Sequence, residues 1–418
     1  MTTFVLILVV LLWEIVGLFL SLEQRKPAPF ILFSLVSVFM AISTTGHFSF
    51  IIFSSPLFFI IAFISSLPLK RRKFAPGLIW AIFLLAGFYS AWYGILIFDA
   101  ISVADLLQDA VLICGLLLIP SVYLSLRAGL VSRSTIFNFI VYSGLALTMY
   151  CWTASLFALG PTGFFFERIG LAGGYNPNLL ASFLDLSVPL ALWRAWVGGR
   201  NRLHWAVFGT QFLGLLMTGT RGSFPTIAVS IGVILWGVRR SPRALAFSIL
   251  LIVGVVFAFA SVAMGRLFHP SLEELASNWD RLKLAEASRN VLKKNDFFWG
   301  IGFNTFYKVK YHFGFPYWGD QGSGFSSHDA HMEIYLGWGL LGILGWLGMI
   351  FQQLIKHALR WWGRKVYNRS AAIGIGLGCF MVHGIVESTI GHPPFVWMLS
   401  LLLALSFFQM EGDKTVTQ

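Results

Sequence analysis

Long apolar runs broken by short polar, glycine-containing or proline-containing interruptions extend along nearly the whole chain. A helix needs roughly 20 mostly apolar residues to cross a hydrocarbon core. About thirteen runs qualify by that criterion, near 5–22, 29–43, 48–69, 77–98, 106–126, 135–160, 179–197, 204–218, 224–238, 244–264, 334–355, 371–385 and 394–408. The pattern predicts an all-α fold: a polytopic membrane helix bundle of about 12–13 transmembrane helices, built as a single integral membrane domain over residues 1–418. The first run carries Glu14 at its centre, lacks a basic leader and is followed by no small-residue cleavage signal, so a retained helix is expected there.

The polar breaks orient this bundle. Lys and Arg concentrate in alternate loops, at Arg25/Lys26, Lys70 to Lys73, Arg127/Arg133, Arg194/Arg200/Arg202, Arg239/Arg240/Arg243 and Lys356 to Arg369. Such loops are retained on the cytoplasmic side. The loops between them, 44–47, 161–178, 220–222, 265–333 and 387–393, are then extracytoplasmic, with the C-terminus inside and the N-terminus outside. Only 265–333 is long enough to hold structure of its own, as an extracytoplasmic loop domain inserted between transmembrane helices. Within it Ser271-Leu272-Glu273-Glu274 has the spacing of a capping box. The helix it starts should run to about Asn295, with Leu272, Leu275, Trp279 and Leu282 on one stripe that packs on the bundle or lies at the membrane surface.

Composition narrows the class further. Hydrophobic residues make up 57% of the 418 and charged residues 11%, against roughly a quarter charged in soluble domains, which excludes a water-soluble protein. The net charge of +12 would suit a nucleic-acid binder, but the basic residues sit in short loops where they set topology. Membrane lipids, and no nucleic acid, are the expected surroundings. Cys114, Cys151 and Cys379 all lie inside apolar segments, which supports neither a disulfide framework nor a metal cluster.

Three polar sites fall on the expected outer face. Thr218 to Ser223 places Arg221 between two apolar spans with hardly any loop to solvate it; such a charge snorkels to headgroups, pairs, or binds a ligand. In the loop helix, Arg281 and Arg289 lie about two turns apart with Lys293 and Lys294 beyond. Arginine forks pair phosphate oxygens bidentately, so this row could hold a diphosphate; Arg289 and the lysines better suit a solvated face partnered by Glu286. The third site, Ser326 to Glu333, offers His328, Asp329, His331 and Glu333 as general-base material just before Gly337-Trp338-Gly339-Leu340-Leu341-Gly342. His328 and His331 could ligate a metal at i and i+3, but no third ligand is recognisable, so no metal is expected. Gly300-Ile301-Gly302 reads as a tight turn, Asn176-Pro177-Asn178 as the start of a helix, and Glu387 and His392 as rim residues. Asp109 and Asp185 read as helix-packing polar groups.

Taken together these sites resemble the O-antigen ligase and polymerase superfamily. Thr218 to Gly222 fits its T-x-(S/T)-R-(G/A) turn. Arg281 through Gly300-Ile301-Gly302 fits an arginine-opened helix ending in Gly-x-Gly. Ser327-His328 to Gly339-Leu340-Leu341-Gly342 keeps the register of S-H-N-x-x-L-E-x-x-x-x-x-G-L-L-G. The resemblance covers roughly 176–392. Asp329 stands where the family usually has Asn, and His331 where an aromatic residue is common, which leaves the hydrogen-bond partner of His328 open.

The resemblance implies a GT-C-class, metal-independent, inverting glycosyltransferase with no cofactor. Its donor would be an undecaprenyl-diphosphate-linked glycan, and its active site would face the periplasm from the bacterial inner membrane. His328 would be the catalytic base and Arg221 and Arg281 the diphosphate-binding residues, with Arg289, Asp329, His331, Asn178 and Glu387 as candidates for supporting roles. Ligation of O-antigen to lipid A-core is the leading expectation. Polymerisation onto another lipid-linked glycan comes next, then protein O-oligosaccharyl transfer. A secondary transporter or flippase is the alternative from a different class, but it should show interrupted spans in two related halves, which the sequence lacks.

Overall fold

The structure, a computed structural model, describes residues 87, 103–127, 129, 131–166, 177–197, 201–238, 245–246, 249–250, 253, 272–294, 298–302, 306–316, 327–364, 367–387 and 393–412. The spans expected at 5–22, 29–43, 48–69 and 77–98 (Gly87 apart), most of 244–264, and Glu14, Asn176 and His392 lie outside these residues.

All regular elements among the described residues are helical. They are α1 (Val103–Arg127), α2 (Arg133–Phe166), α3 (Pro177–Val197), α4 (Arg202–Met217), a 3-10 turn (Arg221–Ser223), α5 (Phe224–Val238), α6 (Leu272–Lys294), α7 (Phe306–Val309) with a 3-10 turn (Lys310–Phe313), α8 (Ala330–Arg364), α9 (Arg369–Gly384) and α10 (Pro393–Gly412). Three helices contain stretches long and apolar enough to cross a membrane, Arg133–Phe157, Pro177–Val197 and Ala330–Trp362. Gly115–Arg127, Arg221–Trp236 and Phe395–Phe408 are shorter apolar helices. The break expected from 161 begins later, because α2 continues to Phe166 across a non-helical Gly160 (φ 70°, ψ 176°).

The centre of the bundle is α3. Pro177 opens it, where the missing N–H costs no hydrogen bond. Every residue from 179 to 192 is buried, as expected of a helix that is apolar nearly all round. α3 packs against α9, α4 and α2, while α10 packs along α1 and α8 along α9. Tyr367 donates its hydroxyl to the Pro189 carbonyl over 2.7 Å, pinning the α8–α9 turn to α3.

Helix α8 is interrupted at Gly339 (φ 67°, ψ −167°), and the Gly-x-Gly turn fills the break. Leu340 N–H donates to Phe298 O (3.1 Å) instead of continuing the helix, and the carbonyls of Leu336 and Gly337 accept from Ile301 N (2.7 Å) and Gly302 N (3.0 Å). Backbone groups released by the break are therefore satisfied, as burial demands. A Cβ on Gly300 would lie 2.4 Å from Gly337 O, and one on Gly339 would lie 2.1 Å from Phe298 O. Glycine is required at both places by positive φ and by contact.

Helix α6 starts and ends close to where the capping box and sequence period put it, but it buries a different face. Leu284, Ala287 and Val291 form a small core with Ile301, Phe306, Val309, Phe315 and Leu336, whereas Trp279 is 42% and Leu282 68% exposed. Leu282 and Leu284 are about 200° apart around a helix, so only one can face inward. The stripe with the small Ala287 and Ser288 wins because it lets the following loop pack closely. Trp279 and Leu282 are not bundle-packing residues.

Candidate active site

His328 is held in an unusual backbone state. Its φ is 55°, a left-handed value that no other non-glycine residue adopts among those described; it costs about 1–3 kcal/mol and persists only where surroundings impose it. Both neighbours impose it. Ser327, just before, gives its N–H (3.0 Å) and hydroxyl (2.8 Å) to Glu333 Oε2, a buried carboxylate one turn into α8. Asp329, just after, is the N-cap of α8: its Oδ1 accepts from His331 N (2.8 Å) and Met332 N (2.9 Å). Asp329 is thus a cap and not a partner of His328, and Asn in its place would cap equally well.

The group that faces the imidazole is Glu387. His328 Nδ1 lies 3.5 Å from Glu387 Oε1, and Arg281 Nη2 lies 3.5 Å from Glu387 Oε2. Asn178 Nδ2 fixes the same Oε2 at 2.7 Å, and Thr220 Oγ1 donates to Asn178 Oδ1 at 3.1 Å. Burial would raise the Glu387 pKa, but the hydrogen bond and charge of His328, with the charges of Arg281 and His383, outweigh it and leave Glu387 below its ordinary range. Arg281 Nε is buried with no hydrogen-bond partner among the described residues.

Below Glu387, one helical turn back, His383 Nδ1 meets Asp185 Oδ2 at 2.5 Å inside the bundle. Asp185 also accepts from Ser223 Oγ (3.0 Å) and Thr226 Oγ1 (2.5 Å), and Ser182 Oγ lies 3.1 Å from His383 Nε2. A Cβ on Gly222 would come within 2.9 Å of the His383 ring. These contacts lock the Arg221 turn onto α3 and α9, which leaves the Arg221 side chain exposed beside the site. Asp185 is a helix-packing polar group that ties α3 to α5 and α9. Its signal was present in the sequence, since a carboxylate inside an apolar span needs a partner; that partner, His383, lies far away along the chain.

The remaining candidates separate cleanly. His331 is committed elsewhere: Trp346 Nε1 donates to its Nδ1 (3.1 Å), and its Nε2 lies 2.9 Å from Met381 O. An indole N–H only donates and a carbonyl only accepts, so His331 carries its proton on Nε2 and has no lone pair left for a metal or a substrate proton. Among the described residues no group of three or more His, Cys, Asp or Glu could hold a metal. Arg289 is exposed on α6 and Glu286 pairs with Lys283 at 2.8 Å, as a solvated face would have it. Sequence reasoning missed Lys310, which is fully buried near the rings of Tyr311 and Phe315 and within the field of Glu333 and Asp280. Burial lowers its pKa to about 8, against the opposing pull of Glu333 and then Asp280.

This rim of the bundle therefore joins a histidine, a carboxylate, an arginine and an amide from four separate segments, with a second arginine at its edge. Residues 206–347 match the family model for O-antigen ligase. That stretch is accordingly placed with the O-antigen ligase-like superfamily. It supports an O-antigen ligase or polymerase type of function, that of a glycosyltransferase-like enzyme with glycan and lipid-linked substrates in a bacterial membrane. The O-antigen ligase stretch contains Arg221, Arg281 and His328 but neither Asn178 nor Glu387, which α3 and the turn after α9 bring to it. Comparison with curated proteins gives no match.

Proposed function

We propose that this protein transfers a glycan from an undecaprenyl-diphosphate carrier to an acceptor hydroxyl at the periplasmic face of the inner membrane, most specifically O-antigen onto lipid A-core. The observation that carries the reading is the meeting of His328, Glu387 and Arg281 at one place on the rim.

In this mechanism Glu387 orients the His328 ring through Nδ1, and Nε2 takes the proton of the acceptor hydroxyl as its oxygen attacks the anomeric carbon. The bond from that carbon to the diphosphate breaks from the opposite side, so configuration inverts. The electron pair leaves with the diphosphate, whose charge Arg221 and Arg281 stabilise in a preorganised setting. The 3.5 Å contacts to Glu387 are longer than a tight hydrogen bond, a looseness common before substrate closes a site. The protein's own side chains supply every step, without a metal or nucleotide sugar.

The test is genetic complementation. A strain lacking the gene receives wild type, His328→Asn or Arg281→Ala at matched membrane levels, and its surface glycans are resolved on a gel. Asn tolerates the left-handed backbone, so His328→Asn removes the base while keeping the turn. Restoration by wild type and loss of long-chain glycan, by at least about a hundredfold for a missing general base, is the expected result. A core-only profile in the variants marks ligation, and a single-repeat cap marks polymerisation. Full complementation by His328→Asn would remove the histidine from the chemistry.

A further inference from the structure

The opposite end of the bundle carries a second concentration of positive charge that the transfer reaction does not use. Asn178 and Glu387 mark the rim; Arg194 lies sixteen positions along α3 from Asn178, about 24 Å away, and Arg369 opens α9 roughly 20 Å from its Glu387 end. Arg133 opens α2 at the same end, close enough for its charge to bear on Arg369.

These arginines are held in place by aromatic rings. Arg369 Cζ sits 4.8 Å from the Trp193 centroid and 5.5 Å from that of Phe137, which themselves meet edge to face at 4.9 Å. Arg133 Cζ lies 4.6 Å over Phe408, and Arg194 Cζ 5.0 Å over Tyr142 while donating to Asn138 Oδ1. None of the three pairs with a carboxylate among the described residues, and Arg369 Nε is buried with no hydrogen-bond partner there. Two helix N-termini add their own positive ends: Ser132 caps α2 through Thr135 N (3.0 Å), and Asn368 caps α9 through Ala371 N (2.9 Å). Guanidinium groups stacked on rings beside two helix starts, with no carboxylate partner among the described residues, suit an anion.

We infer that Arg133 and Arg369 bind the phosphate headgroup of an anionic phospholipid. A lipid fits better than free phosphate because Arg133 opens Arg133–Phe157 and Arg369 stacks on Trp193 near the end of Pro177–Val197, both able to span a membrane. The site differs from general snorkelling of basic residues in pairing two neighbouring guanidiniums, so it should saturate and should discriminate between headgroups.

Full-length protein in detergent, stripped of lipid, would be titrated with phosphatidylglycerol or phosphatidylcholine and the bound lipids counted by native mass spectrometry. The expected result is one phosphatidylglycerol retained at concentrations where phosphatidylcholine is not, with about fivefold weaker retention for each of Arg369→Gln and Arg133→Gln. Arg369→Lys should fall between, since it keeps the charge but loses the fork. Arg289→Gln, on the exposed loop helix, should bind as wild type. Should Arg369→Gln fail to fold, Arg133→Gln at the partly exposed start of α2 gives the reading. Equal retention of both lipids, or undiminished binding by Arg133→Gln, would overturn the proposal; displacement of phosphatidylglycerol by inorganic phosphate alone would overturn the lipid as its source.

Discussion

A histidine kept at positive φ, between a serine tied to a buried glutamate and a capping aspartate, is a strained side chain in a fixed place. The cap makes a sharp prediction about Asp329. Asp329→Asn should leave thermal stability and surface glycan unchanged, whereas Asp329→Ala should cost about 1 kcal/mol of stability, read as a lower midpoint in a thermal melt. Equal loss in both variants would mean the charge, not the cap, matters. Lys310 gives a pH-dependent counterpart. Its folded pKa of about 8 lies below the ordinary 10.5, so between those values the unfolded chain binds more protons than the folded one and stability rises with pH. The midpoint of wild type relative to Lys310→Met should therefore climb from pH 8 to pH 10, and a constant difference would contradict the buried-amine assignment. At this scale the sequence showed His328, Asn178 and Glu387 as candidates because polar groups at span ends stand out against an apolar background, and Arg281 through the family resemblance. It could not show that Glu387 faces His328, since capping geometry and the meeting of residues 59 positions apart belong to three dimensions.

At the scale of elements, the broken α8 and its Gly-x-Gly plug explain why a motif of glycines follows the histidine at fixed spacing. A Cβ at Gly339 or Gly300 adds left-handed strain of about 1–3 kcal/mol to contacts of 2.1 and 2.4 Å with backbone oxygen. Either alanine variant should lower the melting midpoint markedly and deplete protein from the membrane fraction. Gly209→Ala, in α4 where an added Cβ meets nothing within 4 Å, should not. A Gly339→Ala protein as stable as wild type would mean that the turn does not seat in the break. The element lengths were largely legible: the capping-box helix, the charged interruptions and most spans among the described residues fall near their expected positions. The inward face of α6 was not legible, because two apolar stripes compete on that helix and the choice depends on the loop that packs against it.

At the scale of the molecule, the bundle is polarised. One end joins a histidine, a carboxylate and an arginine; the other presents arginines stacked on aromatic rings, without a carboxylate partner among the described residues. The α3 and α9 helices connect the two, and the buried Asp185–His383 contact holds them together just beneath the rim. The contribution of α3 and the turn after α9 to a site otherwise carried by 206–347 required the fold. The most direct measurement is glycan transfer by purified protein in proteoliposomes, with an undecaprenyl-diphosphate-linked O-antigen as donor and lipid A-core as acceptor. Wild type should form the ligated product and release undecaprenyl diphosphate without added metal or nucleotide sugar, His328→Asn should form none above background, and Glu387→Gln should be slower by at least about tenfold, as for a lost orienting partner. Product formation by His328→Asn at the wild-type rate would contradict the account.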